Sequence, residues 1–174
     1  FPERCHVIGA YSLGKAQRLI ALIRQADYDQ PIYLHGAQQK LCQLYQDLGI
    51  DLGELKPATA GEKGKPREDL AGQIVIAPPS ALADKWSRRL PDPLVVMASG
   101  WMQIRQRAKQ SGVELPLILS DHADWADLIR TIDDVAPAEV WVTHGREEAL
   151  IRALALKGVK ARALSLIGYE DDAE

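Results

Sequence analysis

Cysteine is nearly absent from this chain: Cys5 and Cys42 are the two in 174 residues, and they do not stand at metal-ligand spacing. That excludes a disulfide scaffold and a cysteine-built zinc finger, and it fits two packed thiols in a reducing compartment. Apolar runs are too short to span a bilayer, so the sequence is read as a soluble, cytoplasmic protein with no membrane partner. Neither charge sign dominates, with 21 Lys and Arg against 24 Asp and Glu for a net charge of -3. A polyanion would therefore have to be met by a local basic surface. Histidine is scarce as well, at four residues. An initiator Met and a signal-peptide pattern are missing, and Phe1-Pro2-Glu3-Arg4 runs straight into an apolar strand, so the chain reads as a fragment of a larger protein.

What is present is enough apolar material for a packed core, 47% of the residues, arranged with two periods. Short β-branched or aliphatic runs predict strands around Cys5–Ile8, Ile32–His35, Ile74–Ala77, Leu94–Met97, Leu117–Leu119, Val140–Thr143 and Ala163–Leu166. Helical stripes alternate with them: Leu19, Ile20, Leu22 and Ile23, then Leu41, Leu44, Tyr45 and Leu48, then Leu128, Ile129 and Ile132, then Leu150, Ile151, Leu154 and Leu156. The alternation predicts an α/β fold built of βαβ units on a mainly parallel sheet. The stretch Asp51–Gly72, rich in Gly, Lys, Glu and Pro, is expected to be a long surface loop or partly disordered excursion. There is no internal repeat.

Two histidines stand just past predicted strand ends, in Ser120-Asp121-His122-Ala123-Asp124-Trp125 and in Thr143-His144-Gly145-Arg146. Carboxyl ends of parallel strands are where ligands bind in open α/β sheets, which points to one shared site. After the first strand, Tyr11-Ser12-Leu13-Gly14-Lys15-Ala16-Gln17-Arg18 opens a helix. Ser12 is expected to cap it, with Lys15 and Arg18 adding charge for a phosphate contact; a plain capped helix is the rival reading. The Gly-Lys pair lacks the rest of a P-loop. His35, in Tyr33-Leu34-His35-Gly36-Ala37, either lines a substrate cleft or serves the turn, and His6 is expected to be a packed or edge residue. Arg105-Gln106-Arg107-Ala108-Lys109 follows Gly100-Trp101 and is either a solvated face or a nucleic-acid groove, with arginines on phosphates and Trp101 stacking on bases. Lys85, Arg88 and Arg89, placed on a preceding helix, would extend it.

Together these segments resemble the β-CASP nucleases of the metallo-β-lactamase superfamily, nearest the bacterial DNA-ligase-associated exonucleases. The likeness rests on Leu13-Gly14-Lys15-Ala16-Gln17-Arg18, on Ser99-Gly100-Trp101-Met102 leading to Ser120-Asp121-His122-Ala123-Asp124-Trp125, and on Thr143-His144-Gly145. It implies a β-CASP-type parallel-sheet domain over about 1–112. Residues 113–174 would then be the C-terminal return to a metallo-β-lactamase-like domain. It also implies phosphodiester hydrolysis with two zinc ions, manganese being a possible substitute. His122 falls on the motif whose histidine protonates or stabilises the leaving oxygen, with Asp121 orienting it, and His144 on the motif whose histidine completes zinc coordination. Asp124 is preferred as a helix cap over a partner for His122. Ser12, Lys15, Arg18, His35, Ser99, Trp101, Arg105 and Arg107 become candidate substrate contacts.

The family's principal metal motif, His-x-His-x-Asp-His, is absent from the chain, so the isolated polypeptide is expected to be inactive. Activity is expected in a parent protein whose amino-terminal part supplies the remaining ligands. The ligase-associated likeness implies DNA as substrate, a role in repair and a functional link to a DNA ligase. A histidine at the last motif, as at His144, is instead what RNA-processing members keep. A noncatalytic phosphate- or nucleotide-binding module and a plain interaction domain are the readings from other classes.

Overall fold

The computed structural model describes residues 1–58, 67–104, 106, 109, 112–143, 145 and 147–164. They divide into two compact units, Phe1–His122 and Ala123 onward. No helix among them is long and apolar enough to cross a membrane.

The first unit is an α/β layer structure on a six-stranded, wholly parallel sheet. Its strands are β1 (Cys5–Gly9), β2 (Ile32–Leu34), β3 (Leu55–Pro57), β4 (Ile74–Ala77), β5 (Pro93–Ala98) and β6 (Leu115–Leu117), in spatial order β3-β2-β4-β1-β5-β6. Helices α1 (Lys15–Gln25) and α2 (Gly36–Asp47) cover one face. Successive side chains on a strand point to opposite faces, and the core follows that alternation. Ile8, Ile76, Leu94, Val96 and Ala98 meet Ala16, Leu19, Ile20 and Cys42 of the helices. Cys5, Val7 and Val75 meet Ala58, Leu70 and Leu90 on the other face, which is covered by short 3₁₀ turns instead of α-helices. Both cysteines are buried free thiols, as expected, and burial pushes Cys5 up to about 12. His6 lies half-buried within β1, an interior strand.

Several expectations change. Of Asp51–Gly72, residues 59–66 lie outside the described residues; among the rest, Leu55–Pro57 pairs with β2 as an edge strand, and Leu52 and Leu70 are fully buried. The last strand of this sheet is Leu115–Leu117, two residues earlier than expected, because Pro116 is tolerated on an edge strand where one backbone donor is dispensable. Lys85, Arg88 and Arg89 do not share a helix; Ser87–Arg89 is a single 3₁₀ turn. The β6 strand, which follows residue 112, belongs to the first unit.

The second unit has its own parallel pair, β7 (Val140–Val142) and β8 (Ala161–Ala163), with α3 (Trp125–Val135) and α4 (Glu147–Leu156). Strand β8 starts two residues earlier than expected, and 165–166 lie outside the described residues. The core gathers Val142, Leu150 and Leu154, with Ile129, Ile132, Val140 and Ile151 against them. Asp124 caps α3, its Oδ1 accepting from Asp127 N at 2.8 Å, as its position before the helix predicts.

Arg24, in the last turn of α1, fixes the approach to β2 and β3. Its guanidinium donates to the carbonyls of Tyr28 (2.8 Å), Gln30 (2.6 Å), Leu52 (3.0 Å) and Glu54 (2.9 Å). Five donors in a rigid fork suit such a cluster of carbonyls, which lysine could not satisfy together. Arg24→Met is expected to lower unfolding free energy by about 2 kcal/mol in urea titration, since charged hydrogen bonds are lost and carbonyls left unsatisfied. A loss below about 0.5 kcal/mol would place Arg24 among ordinary surface residues.

Candidate functional site

The sheet order decides where a site can form. From β1 the chain crosses toward β2, while from β5 it crosses the opposite way toward β6. The neighbouring ends of β1 and β5 are therefore a switch point, where the following loops part and leave a crevice. The loop after β6 comes back to that same place.

Lys15 opens α1, one turn before Arg18, so the two project along the same helix face. They hold the segment after β6 by two grips. Arg18 Nη1 donates to Ser120 O at 2.8 Å, and Lys15 Nζ lies 3.1 Å from Asp121 Oδ1. The same Asp121 oxygen lies 3.2 Å from His122 Nδ1. Ser120 Oγ accepts from His122 N at 3.2 Å, which turns the backbone back on itself. From β5, Ser99 N donates to Leu117 O and Ser99 Oγ accepts from Trp101 N. Gly100 packs so tightly on Ser120 that a Cβ there would come within 3.2 Å of the serine Cβ.

The environments of these groups differ sharply. Lys15 is 2% exposed, with Nζ 5.1 Å from the centre of the Tyr11 ring, whereas the His122 side chain is 83% exposed. Burial pushes the Asp121 carboxyl up, but the hydrogen bond and charge of Lys15, with His122 adding, outweigh it and hold the group below the usual carboxylate range. What results is a graded row: a buried cation, a partly exposed anion and an imidazole in solvent. The carboxylate oxygen lies within reach of Nδ1, and an imidazole carries a second nitrogen able to exchange a proton.

Of the sequence-predicted residues, Lys15, Arg18, Asp121 and His122 are brought together by direct contacts, with Ser99 and exposed Trp101 on the adjoining loop. Ser12 does not cap α1. The cap position is Gly14, at φ 79°, a left-handed conformation that favours glycine, and it carries no side chain to bond the free amides. Lys15 does not reach out to an anion from the helix start either, since its ammonium is buried against Asp121. His35 stands at the end of β2, separated from β1 by β4. It caps α2 through Nδ1, which accepts from Ala37 N at 3.1 Å, and its ring meets Trp86 edge-on at 4.6 Å. His144, Arg105 and Arg107 lie outside the described residues.

Sequence reasoning missed Gln17 and Gln38. Both are buried; Gln17 Nε2 donates to Ser12 O and Gln38 Nε2 to Ala10 O, pinning the loop after β1 to the helices. A glutamine breaking an apolar helix stripe was the available signal. Among the described residues no three His, Cys, Asp or Glu are grouped to hold a metal ion. Asp121 is already engaged by Lys15, so these residues do not by themselves fit a zinc site.

Burial holds the His35 imidazole below its ordinary value of 6.5, with Asp84 opposing. The unfolded chain then takes up the proton first as pH falls through 6.5, so His35 adds nothing to pH dependence above that point and subtracts stability below it. Thermal melts of His35→Asn, which keeps a capping acceptor, are expected to lose part of the decline between about pH 7 and about pH 5. An unchanged slope would remove His35 as its source.

No family model matches this chain, and no solved structure matches it. It is similar to a protein named Probable DNA ligase from Opitutus terrae, with 30% identity over 161 residues, 91% of this chain. The chain spans about 15% of that relative's length.

Proposed function

We propose that this chain is the C-terminal portion of a β-CASP nuclease of the metallo-β-lactamase superfamily, acting on phosphodiesters of DNA beside a DNA ligase. The observation that carries the reading is the exposed His122 imidazole, its Nδ1 3.2 Å from Asp121 Oδ1, at the carboxyl edge of a parallel sheet. Hydrolysis of a phosphodiester needs a proton for the departing oxygen, and a positioned imidazolium, its Nδ1–H directed at a carboxylate, can give up the proton on Nε2 and become the neutral ring. Asp121 keeps Nδ1 occupied so that Nε2 faces the leaving group. Trp101, exposed on the neighbouring loop, offers a surface on which a base can stack.

The substrate assignment draws on the relative named as a probable DNA ligase; ligation consumes ends that a nuclease can prepare. The second unit supports a place within a larger protein. Trp125, Val135, Trp141 and Leu156 are exposed on it, and a unit of this size is marginal on its own. Under this reading zinc, with manganese as a possible substitute, is held by residues beyond those described. His144 is one candidate ligand, and the metal would supply the attacking hydroxide. RNA is the competing substrate, favoured by the histidine at position 144. A noncatalytic phosphate-binding module is less well supported, because the cation it needs at the start of α1 is buried against a carboxylate.

In the full-length protein carrying this segment, His122→Ala is expected to lower kcat on labelled DNA by roughly 10²- to 10⁴-fold while binding changes little. Retained turnover would remove His122 as the acid, and cleavage of RNA in preference to DNA would reassign the substrate. His144→Ala is expected to reduce zinc content measured by elemental analysis; full occupancy would take His144 out of the ligand set.

A further inference from the structure

Lys15 is the residue whose placement the phosphate reading leaves unexplained. A lysine serving a phosphate keeps its ammonium in solvent or on the ligand, because its long apolar stem can be buried while the charged end stays out. Here the end itself is buried, 2% exposed, beneath the Tyr11 ring and against one oxygen of Asp121. Removing an ammonium from water is costly by several kcal/mol unless a partner charge meets it in good geometry. That partner oxygen is the one lying 3.2 Å from His122 Nδ1. The backbone of the segment is held by other means: Arg18 takes Ser120 O and Ser120 Oγ takes His122 N. Lys15 is thus the group that fixes the carboxylate itself, and through it the ring.

We propose that Lys15 is a positioning residue for His122, holding the Asp121 carboxylate where it orients the imidazole, and is not a contact for the substrate phosphate. The proposal rests on the reading of His122 as the general acid. It predicts that Lys15 acts only through the histidine.

The test is a double-mutant comparison in the full-length protein, with kcat and KM measured on labelled DNA for Lys15→Met, His122→Ala and the two combined. Lys15→Met is expected to lower kcat about 10- to 100-fold with KM unchanged, the range seen when an orienting partner is removed. In the His122→Ala background it is expected to cost nothing further. Lys15→Arg, which keeps the charge, recovers part of the loss. Asp121→Asn, nearly isosteric, reproduces the loss and serves should Lys15→Met fail to fold. The ¹⁵N shifts of the neutral His122 imidazole, measured at alkaline pH, report orientation without turnover: Nδ1–H predominates in the wild type, and both tautomers exchange in the variants. A raised KM in both backgrounds would make Lys15 a phosphate contact and overturn the proposal. So would an unchanged kcat in Lys15→Met alongside a large loss in His122→Ala, which leaves the nuclease reading standing. An unchanged kcat in His122→Ala itself overturns both.

Discussion

An ammonium group cannot stay buried alone, and that requirement at Lys15 organises the working end of the first unit. Asp121 is the answer to it, and Asp121 arrives from the far end of the sheet, after β6. The pairing therefore couples α1, which follows the first strand, to the segment that follows the last one. Arg18 adds a second tie between the same two elements, spanning 102 residues of sequence. Neither tie would form unless β1 and β5 lay side by side, with β6 added beyond β5. A surface ion pair contributes little because water screens it; this one has lost its water on the lysine side, so breaking it would strand a buried charge.

The parallel sheet supplies the rest of the geometry. Every strand in it runs the same way, so every loop leaving a strand's carboxyl end emerges on the same edge. The loops of β1, β5 and β6 converge because their strands are neighbours or next neighbours, and close packing of Gly100 on Ser120 sets how near they come. His35 emerges on that edge too, but from β2, and it is spent on capping α2 and packing against Trp86. Position on the edge is thus necessary for a role at the site and not sufficient; strand order sorts the candidates.

That distinction marks where the sequence was legible. Strand β4 spans Ile74–Ala77 as its β-branched run predicts, and the helix stripes at Leu19–Ile23 and Leu150–Leu156 lie in α1 and α4, because local periodicity reports local structure. Strand β3 was missed since Lys56 and Pro57 carry no alternation, and an edge strand needs only its neighbour's hydrogen bonds to form. His122, Asp121, Lys15 and Arg18 are all legible as candidates, while the carboxylate that meets Lys15 is not. A Gly-Lys pair at a helix start resembles an anion site locally; only the fold shows that a carboxylate from a distant loop already occupies the cation. Gln38 shows the same limit, since the Ala10 carbonyl it bonds lies 28 residues away, whereas Gln17 bonds Ser12 O within its own segment.

The gradient of burial across Lys15, Asp121 and His122 is itself informative about chemistry. A proton donor has to touch solvent or substrate at one end, while its orientation has to survive that exposure. An imidazole with its side chain 83% exposed would sample many rotamers if nothing held it. Anchoring the carboxylate on a buried cation places the rigid part of the row inside the protein and leaves the imidazole in solvent. A purely structural ion pair has no need of the third member, and a phosphate site has no use for the second, since a carboxylate there repels the ligand. The row of three, in that order of burial, fits a device for presenting an imidazole better than either alternative.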